Sequence, residues 1–193
     1  NPFDYLVLDD GRMQLPMRYP AEESGALLRY SRPTGDPAVV ELAHEVLRSS
    51  GGSAPSFLTQ LSSRLASAVE GEVRMEGEPF EPAETLRRGR GSCRDAAVLF
   101  MDACRTVGLA ARFVSGYQEG NPKIEEKYLH AWAEVYLSRV GWRGFDPTLG
   151  LAVADRHLAL AADADPGRTT PYEGSYRGTA VSSMKADLQV RVH

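Results

Sequence analysis

Cysteine is scarce: 193 residues contain only Cys93 and Cys104. Two thiols are too few for a disulfide framework or a four-ligand structural zinc site. The two also cannot pair with each other. Both fall in one expected helix, about 16 Å apart along its axis, whereas a disulfide needs Cα atoms within roughly 7 Å. Two free thiols suit a reducing compartment, and on this ground a cytoplasmic location is expected. Basic charge is short as well. Lys and Arg number 22 against 26 Asp and Glu, a net charge of −4, which leaves no surplus to neutralise phosphates and argues against a nucleic-acid partner. No apolar run approaches the ~20 residues that span a bilayer, so no membrane partner is expected. A leader peptide is not visible either, but the chain opens on Asn1 rather than Met, so that lack carries little weight.

What is present is ordinary for a globular domain: 42% hydrophobic and 25% charged residues, in a length that suits one well-cored unit. Residues 1–35 carry scattered apolar pairs ("FDYLVL", "LLRY") among Asp, Gly and Pro. They read as an extended N-terminal arm with one or two strands, the remnant of a preceding domain, and residues 36–193 read as the main domain. "GDPAVVELAHEVLRSSGG" is a helix capped by Asp36, with Pro37 in its first turn and Gly51-Gly52 as its stop. "SFLTQLSSRLASAVEG" gives a second helix. A polar connection follows, with a short strand and one helical turn. The third and most apolar helix spans about 93–107. From Leu109 the period becomes strand-like in "LAARFVSGY", "YLHAWAEVYL" and "WRGFDPTL". A Pro/Gly/Asp-rich loop then leads to "TAVSSMKADLQVRV", which alternates as a final strand. Helices first and an antiparallel sheet after make an α+β layout.

"GRGSCRDAAVLF" places Cys93 at the start of the third helix. Ser92 and Asp95 fit a capping box, which puts the thiol beside backbone N–H groups carrying about half a positive charge. Such a position favours the thiolate. Arg87, Arg88, Arg90 and Arg94 add positive potential, and Gly89 and Gly91 would let a ligand approach the backbone. The bland alternative is a buried structural cysteine. That suits Cys104, among Met101, Ala103 and Val107, better than a thiol at a capped helix end.

A thiol nucleophile needs a base oriented by a third group. His44 falls on the polar face of the first helix, His157 in the late loop and His193 at the terminus. His130 lies in "YLHAWAEVYL", sharing one strand face with Trp132, Glu134 and Tyr136 while Ala131, Ala133, Val135 and Leu137 take the core face. A face of His, Trp, Glu and Tyr suits a cleft wall, although a lone strand histidine is commonly structural. "WRGFDPTLG" should form a hairpin with that strand. Asp146 shares the face of His130 only if the connecting loop has an odd number of residues, such as Ser138-Arg139-Val140, or an equivalent bulge. A two-residue loop would aim the acid at the wrong face.

Taken together, "ETLRRGRGSCRDAAVLFMDACRTVGLAARFVSGY", "HAWAEVYL" and "GWRGFDPTLG" resemble the three blocks of the bacterial transglutaminase-like superfamily. The resemblance runs over about residues 35–178, including "YEGSYRG". It implies a papain-like α+β core, with N-terminal helices packed on an antiparallel sheet. It also implies a catalytic triad carried onto Cys93, His130 and Asp146. The expected chemistry is thiol-dependent acyl transfer on a peptide or protein substrate, most simply hydrolysis, with no cofactor and no metal. Crosslinking by an amine acceptor and a silent peptide-binding module are the alternatives. One feature departs from the crosslinking relatives: they use a tryptophan upstream of the cysteine as an oxyanion donor. Here Trp132 and Trp142 both lie downstream, and Gln60 stays an unassigned candidate.

Overall fold

The computed structural model describes residues 13–119, 129–170 and 177–179. Among the described residues there are five α-helices: α1 (Ala21–Leu27), α2 (Pro37–Ser49), α3 (Ala54–Ala68), α4 (Pro82–Arg88) and α5 (Cys93–Thr106). Two short parallel strands, β1 (Glu70–Gly71) and β2 (Arg90–Gly91), bracket α4. The main sheet contains β3 (Ala111–Gln118), β4 (His130–Leu137), β5 (Gly141–Asp146), β6 (Leu151–Ala152) and β7 (His157–Asp163). It is antiparallel throughout, in the order β6-β5-β4-β3-β7. The fold is the α+β, papain-like arrangement expected.

Local chemistry sets the helix ends. The Asp36 carboxylate accepts the Ala38 N–H at 2.9 Å, and Pro37 opens α2, where its missing N–H costs nothing. Gly51 and Gly52 follow with φ of +62° and +79°, which stops the helix. The buried stripes of α2 (Val39, Leu42, Ala43, Val46) and α3 (Phe57, Leu58, Leu61, Leu65) pack around α5. That helix is buried along most of its length, through Ala97, Leu99, Phe100, Met101, Ala103 and Cys104. Ala131, Ala133, Val135 and Leu137 of β4 complete the same core. Phe100 stacks on Phe145 with ring centroids 5.8 Å apart, tying α5 to the strand that ends at Asp146.

Two sequence expectations are revised. "LLRY" is not a strand: residues 21–30 form α1 and a 3-10 turn at Leu28–Tyr30. Their local hydrogen bonds are made by helical turns, while Met13 and Met17 reach into the core. Tyr19 fixes this N-terminal segment to the sheet, donating to the Tyr136 carbonyl at 2.9 Å and accepting the Ala110 N–H at 2.8 Å. The late loop is also more ordered than its Gly, Pro and Asp content suggests. It holds β6, β7 and a 3-10 turn at Pro166–Thr169, because β3 and β5 offer edges for it to pair with. Beyond Thr179, the expected final strand lies outside the described residues, as do residues 1–12 of the arm. No helix among the described residues is long and apolar enough to cross a membrane.

Candidate active site

Cys93 is the first residue of α5, half-buried, behind the Ser92–Asp95 capping box. Both the N–H and the hydroxyl of Ser92 donate to Asp95 Oδ2 at 2.7 Å. The other oxygen, Oδ1, accepts the Phe80 N–H at 2.7 Å and Arg74 Nη2 at 2.5 Å. Burial opposes the charge on Asp95, but these donors prevail and hold its carboxyl below the usual range. Gly91 serves this cap and not a ligand: a Cβ there would sit 2.9 Å from the Asp95 Cβ. Gly89, at φ +61°, is the left-handed C-cap of α4.

The arginine cluster has other employment. Arg88 pairs with Glu84 and lies over the Phe80 ring. Arg90 pairs with Glu72. Arg94 donates to the carbonyls of Arg74 and Gly77, closing the loop before α4. Arg88 and Arg90 are thus balanced by carboxylates, and the helix end itself favours negative charge at Cys93. Gln60 is likewise occupied: it donates to Ser56 Oγ at 2.8 Å and accepts from Ser49 Oγ at 2.7 Å, at the joint between α2 and α3.

His130 begins β4, and its Nε2 donates to Asp146 Oδ2 at 2.7 Å. The register explains the meeting. Leu137 pairs with Gly141, leaving the three-residue loop 138–140, and one position beyond the Ala133–Phe145 pair Asp146 falls opposite Trp132. Arg139 takes φ +64° to close this loop. Burial works to depress the pKa of His130, but the Asp146 hydrogen bond, followed by the interaction with the Cys93 side chain, pushes it up to about 10. Asp146 is fully buried. Burial opposes its charge, yet the bonds from His130 and His157 hold it well below the usual carboxylate range. Its Oδ1 accepts the N–H groups of Thr148 and Leu149 at 3.0 and 3.3 Å. The side chain of His130 is 16% exposed, so the pair stays reachable from solvent.

His157 was expected in a loop. It is instead the first residue of β7, and its Nε2 lies 3.0 Å from Asp146 Oδ2. No local signal marks it: the sequence around it carries no alternation of polarity that singles out one face. His130, Asp146 and His157 present their polar atoms within 4.8 Å of one another, a set of donors that could hold a metal. Tetrahedral zinc would spread such ligands to about 3.3 Å from one another, whereas the pairs here meet at 2.7 and 3.0 Å. Asp146 is the direct hydrogen-bond partner of both histidines. Cys104 is fully enclosed, and burial pushes its thiol well up.

Comparison with known proteins agrees with this architecture. A family model described as the transglutaminase-like superfamily matches residues 41–147. An uncharacterised protein of Mycobacterium leprae is 26% identical over 112 residues, which are 55% of this chain and 39% of that one. One from Mycobacterium tuberculosis is 33% identical over 101 residues, 47% of this chain and 32% of its own. The chain thus spans well under half the length of these relatives. Among solved structures, a protein of Cytophaga hutchinsonii provisionally assigned as a cysteine protease superposes with a TM-score of 0.60. It is 23% identical and covers 74% of this chain and 48% of its own. LapG of Legionella pneumophila has a TM-score of 0.50 at 13% identity, covering 75% of this chain and 84% of its own. With the family model matched across more than half of its length, this chain belongs to the transglutaminase-like superfamily.

Proposed function

We propose that the protein is a thiol-dependent acyl-transfer enzyme, acting as a hydrolase on peptide or amide bonds through a thioester on Cys93. The observation that carries this reading is the 2.7 Å bond from His130 Nε2 to a buried Asp146 carboxylate, at the helix end that bears Cys93. Asp146 fixes His130 with Nε2 occupied, which leaves Nδ1 for the thiol. With the thiol proton held on His130, the sulfur of Cys93 attacks the amide carbonyl carbon. The resulting oxyanion is stabilised by the Cys93 backbone N–H at the positive helix end. Collapse breaks the C–N bond, and His130 returns the proton to the departing amine. Water then attacks the thioester, giving its proton to His130, and the acid leaves as the thiol is regenerated.

The likeness in fold to a provisionally assigned cysteine protease supports hydrolysis as the outcome. An amine in place of water would make the same thioester a crosslinking intermediate. The test is iodoacetamide labelling near pH 6, followed by mass spectrometry. Cys93 should label far faster than the enclosed Cys104, and Cys93→Ala should abolish the fast phase while leaving the fold intact. Faster labelling of Cys104 would overturn the assignment. A peptide amide substrate chosen from the sequence preference of an electrophilic library, turned over with and without a primary amine and read by product mass, separates hydrolysis from crosslinking.

A further inference from the structure

Asp146 Oδ2 is gripped twice. His130 donates to it from one side and His157 from the other, and the side chain of His157 is only 2% exposed. The backbone makes a specific accommodation to bring that ring in. Along β3 and β7, Ser115 pairs with Ala161, but the next pair is Gly116 with Ala159, so Leu160 is an extra residue. This bulge shifts the register by one. Gln118 consequently faces His157. In an unbroken ladder His157 would face Glu119, and its side chain would turn to the opposite side of the sheet.

The bulge in turn needs a glycine. A Cβ on Gly116 would lie 2.1 Å from the Leu158 carbonyl oxygen and 2.7 Å from Trp132 Cη2. Trp132, itself buried, then packs edge-on against His157 with centroids 5.1 Å apart and lies 6.2 Å from His130. A histidine serving only as core filler is a poor choice here. Its Nδ1 is buried without a hydrogen-bond partner among the described residues, a cost that an apolar side chain would avoid. What the imidazole adds is a donor at Nε2. With it, Asp146 accepts two bonds on each oxygen, and the carboxylate cannot rotate without breaking several of them.

We propose that His157 is a positioning residue, which by donating Nε2–H to Asp146 Oδ2 locks the carboxylate that orients His130 toward Cys93. The inference rests on the catalytic reading of Cys93, His130 and Asp146 given above. Asp146 from β5 and Cys93 from α5 act on His130, and His130 and His157 act on Asp146. Arg156 and Glu119, at the near end of β7, pair with each other at 3.4 Å.

The experiment compares wild type, His130→Ala, His157→Leu and His157→Gln by the iodoacetamide rate at Cys93 and by imidazole ¹⁵N shifts across pH. His157→Leu should slow alkylation by about 10–100-fold, the scale expected when a reacting group is misplaced by an ångström. It should also move the deprotonation of His130 to lower pH, because a looser Asp146 leaves burial to dominate. Glutamine carries an amide N–H at similar reach and should restore both to near the wild-type values. If His157→Leu lowers only the melting temperature, with rate and His130 midpoint unchanged, the residue is structural and the inference falls. Should that variant fail to fold, the wild-type spectrum decides: a proton on Nε2 of His157 upholds the inference, and one on Nδ1 alone overturns it. His130→Ala serves as the separate control. If it leaves Cys93 reactivity unchanged, the catalytic reading itself fails, and this inference with it.

Discussion

His130 and Asp146 meet at 2.7 Å across adjacent strands because the loop between those strands has three residues. Deleting Arg139 would leave a two-residue connection and shift the β4–β5 register by one, turning Asp146 toward the core face. The expected outcome is a Cys93 alkylation rate reduced to that of His130→Ala, with a near-native far-UV spectrum. A rate equal to wild type would show that the parity of this hairpin does not set the site.

Asp146→Asn keeps the size of the side chain but removes the charge that two imidazoles share. A comparable change in a Ser-His-Asp site costs about 10⁴-fold in kcat, and a loss of roughly 10³–10⁴-fold is expected here, with KM little altered. Steady-state kinetics on a peptide substrate found by the electrophile screen would check it. A loss confined to KM would contradict an orienting role for the acid.

Stability should depend on pH in two opposed windows. His130 is raised from 6.5 to about 10 on folding, so the folded state holds a proton that the unfolded chain has released between those values. Its contribution is complete below about pH 6.5 and disappears as pH rises through about 10. Asp146 is lowered from 3.8, so its contribution is complete above that value and is lost as pH falls below it. Urea denaturation should therefore give a stability maximum between about pH 4 and 6.5. His130→Ala should flatten the alkaline decline, and an unaltered slope would count against the raised value.

Arg74→Met would strip the guanidinium from a fully buried Asp95. Breaking a buried pair on one side is costly, and about 3 kcal/mol of destabilisation is expected, tempered by the remaining donors from Phe80 and Ser92. Because Asp95 caps α5, Cys93 alkylation should fall as well. Chemical denaturation and labelling on the same sample would test both, and a variant as stable as wild type would exclude the cap as a structural anchor.

Gly116→Ala places a methyl group against the Leu158 carbonyl and the Trp132 ring. Overpacking of this kind costs about 3 kcal/mol, and β7 must shift to relieve it. The melting temperature should drop and the Nε2 signal of His157 should change. Preservation of both would mean that the bulge at Leu160 tolerates a side chain.

Much of the frame was legible before any coordinates. Asp36-Pro37 and Gly51-Gly52 bound α2 because caps and breakers act within a few residues of where they stand. "SCRD" located Cys93 at a helix start for the same reason, and strand parity stated the condition for His130 and Asp146 to meet, an odd loop, which residues 138–140 fulfil. The arginines near Cys93 were harder to read. Their partners Glu84, Glu72 and the carbonyls of Arg74 and Gly77 are fixed by how α4 and its flanking loops fold back, which composition does not reveal. "LLRY" misled because four apolar-rich residues cannot separate a short helix from a strand.

Local pattern alone thus determined the ends of the principal helices, the thiol at the start of α5 and the condition, an odd loop, under which His130 and Asp146 share a face. Those features depend on contacts between residues close in sequence or on the two-residue repeat of a strand. Only the tertiary structure decided that His157 reaches Asp146. That contact depends on one extra residue in β7, opposite a glycine in β3, and register across a bulge is set by packing between distant segments.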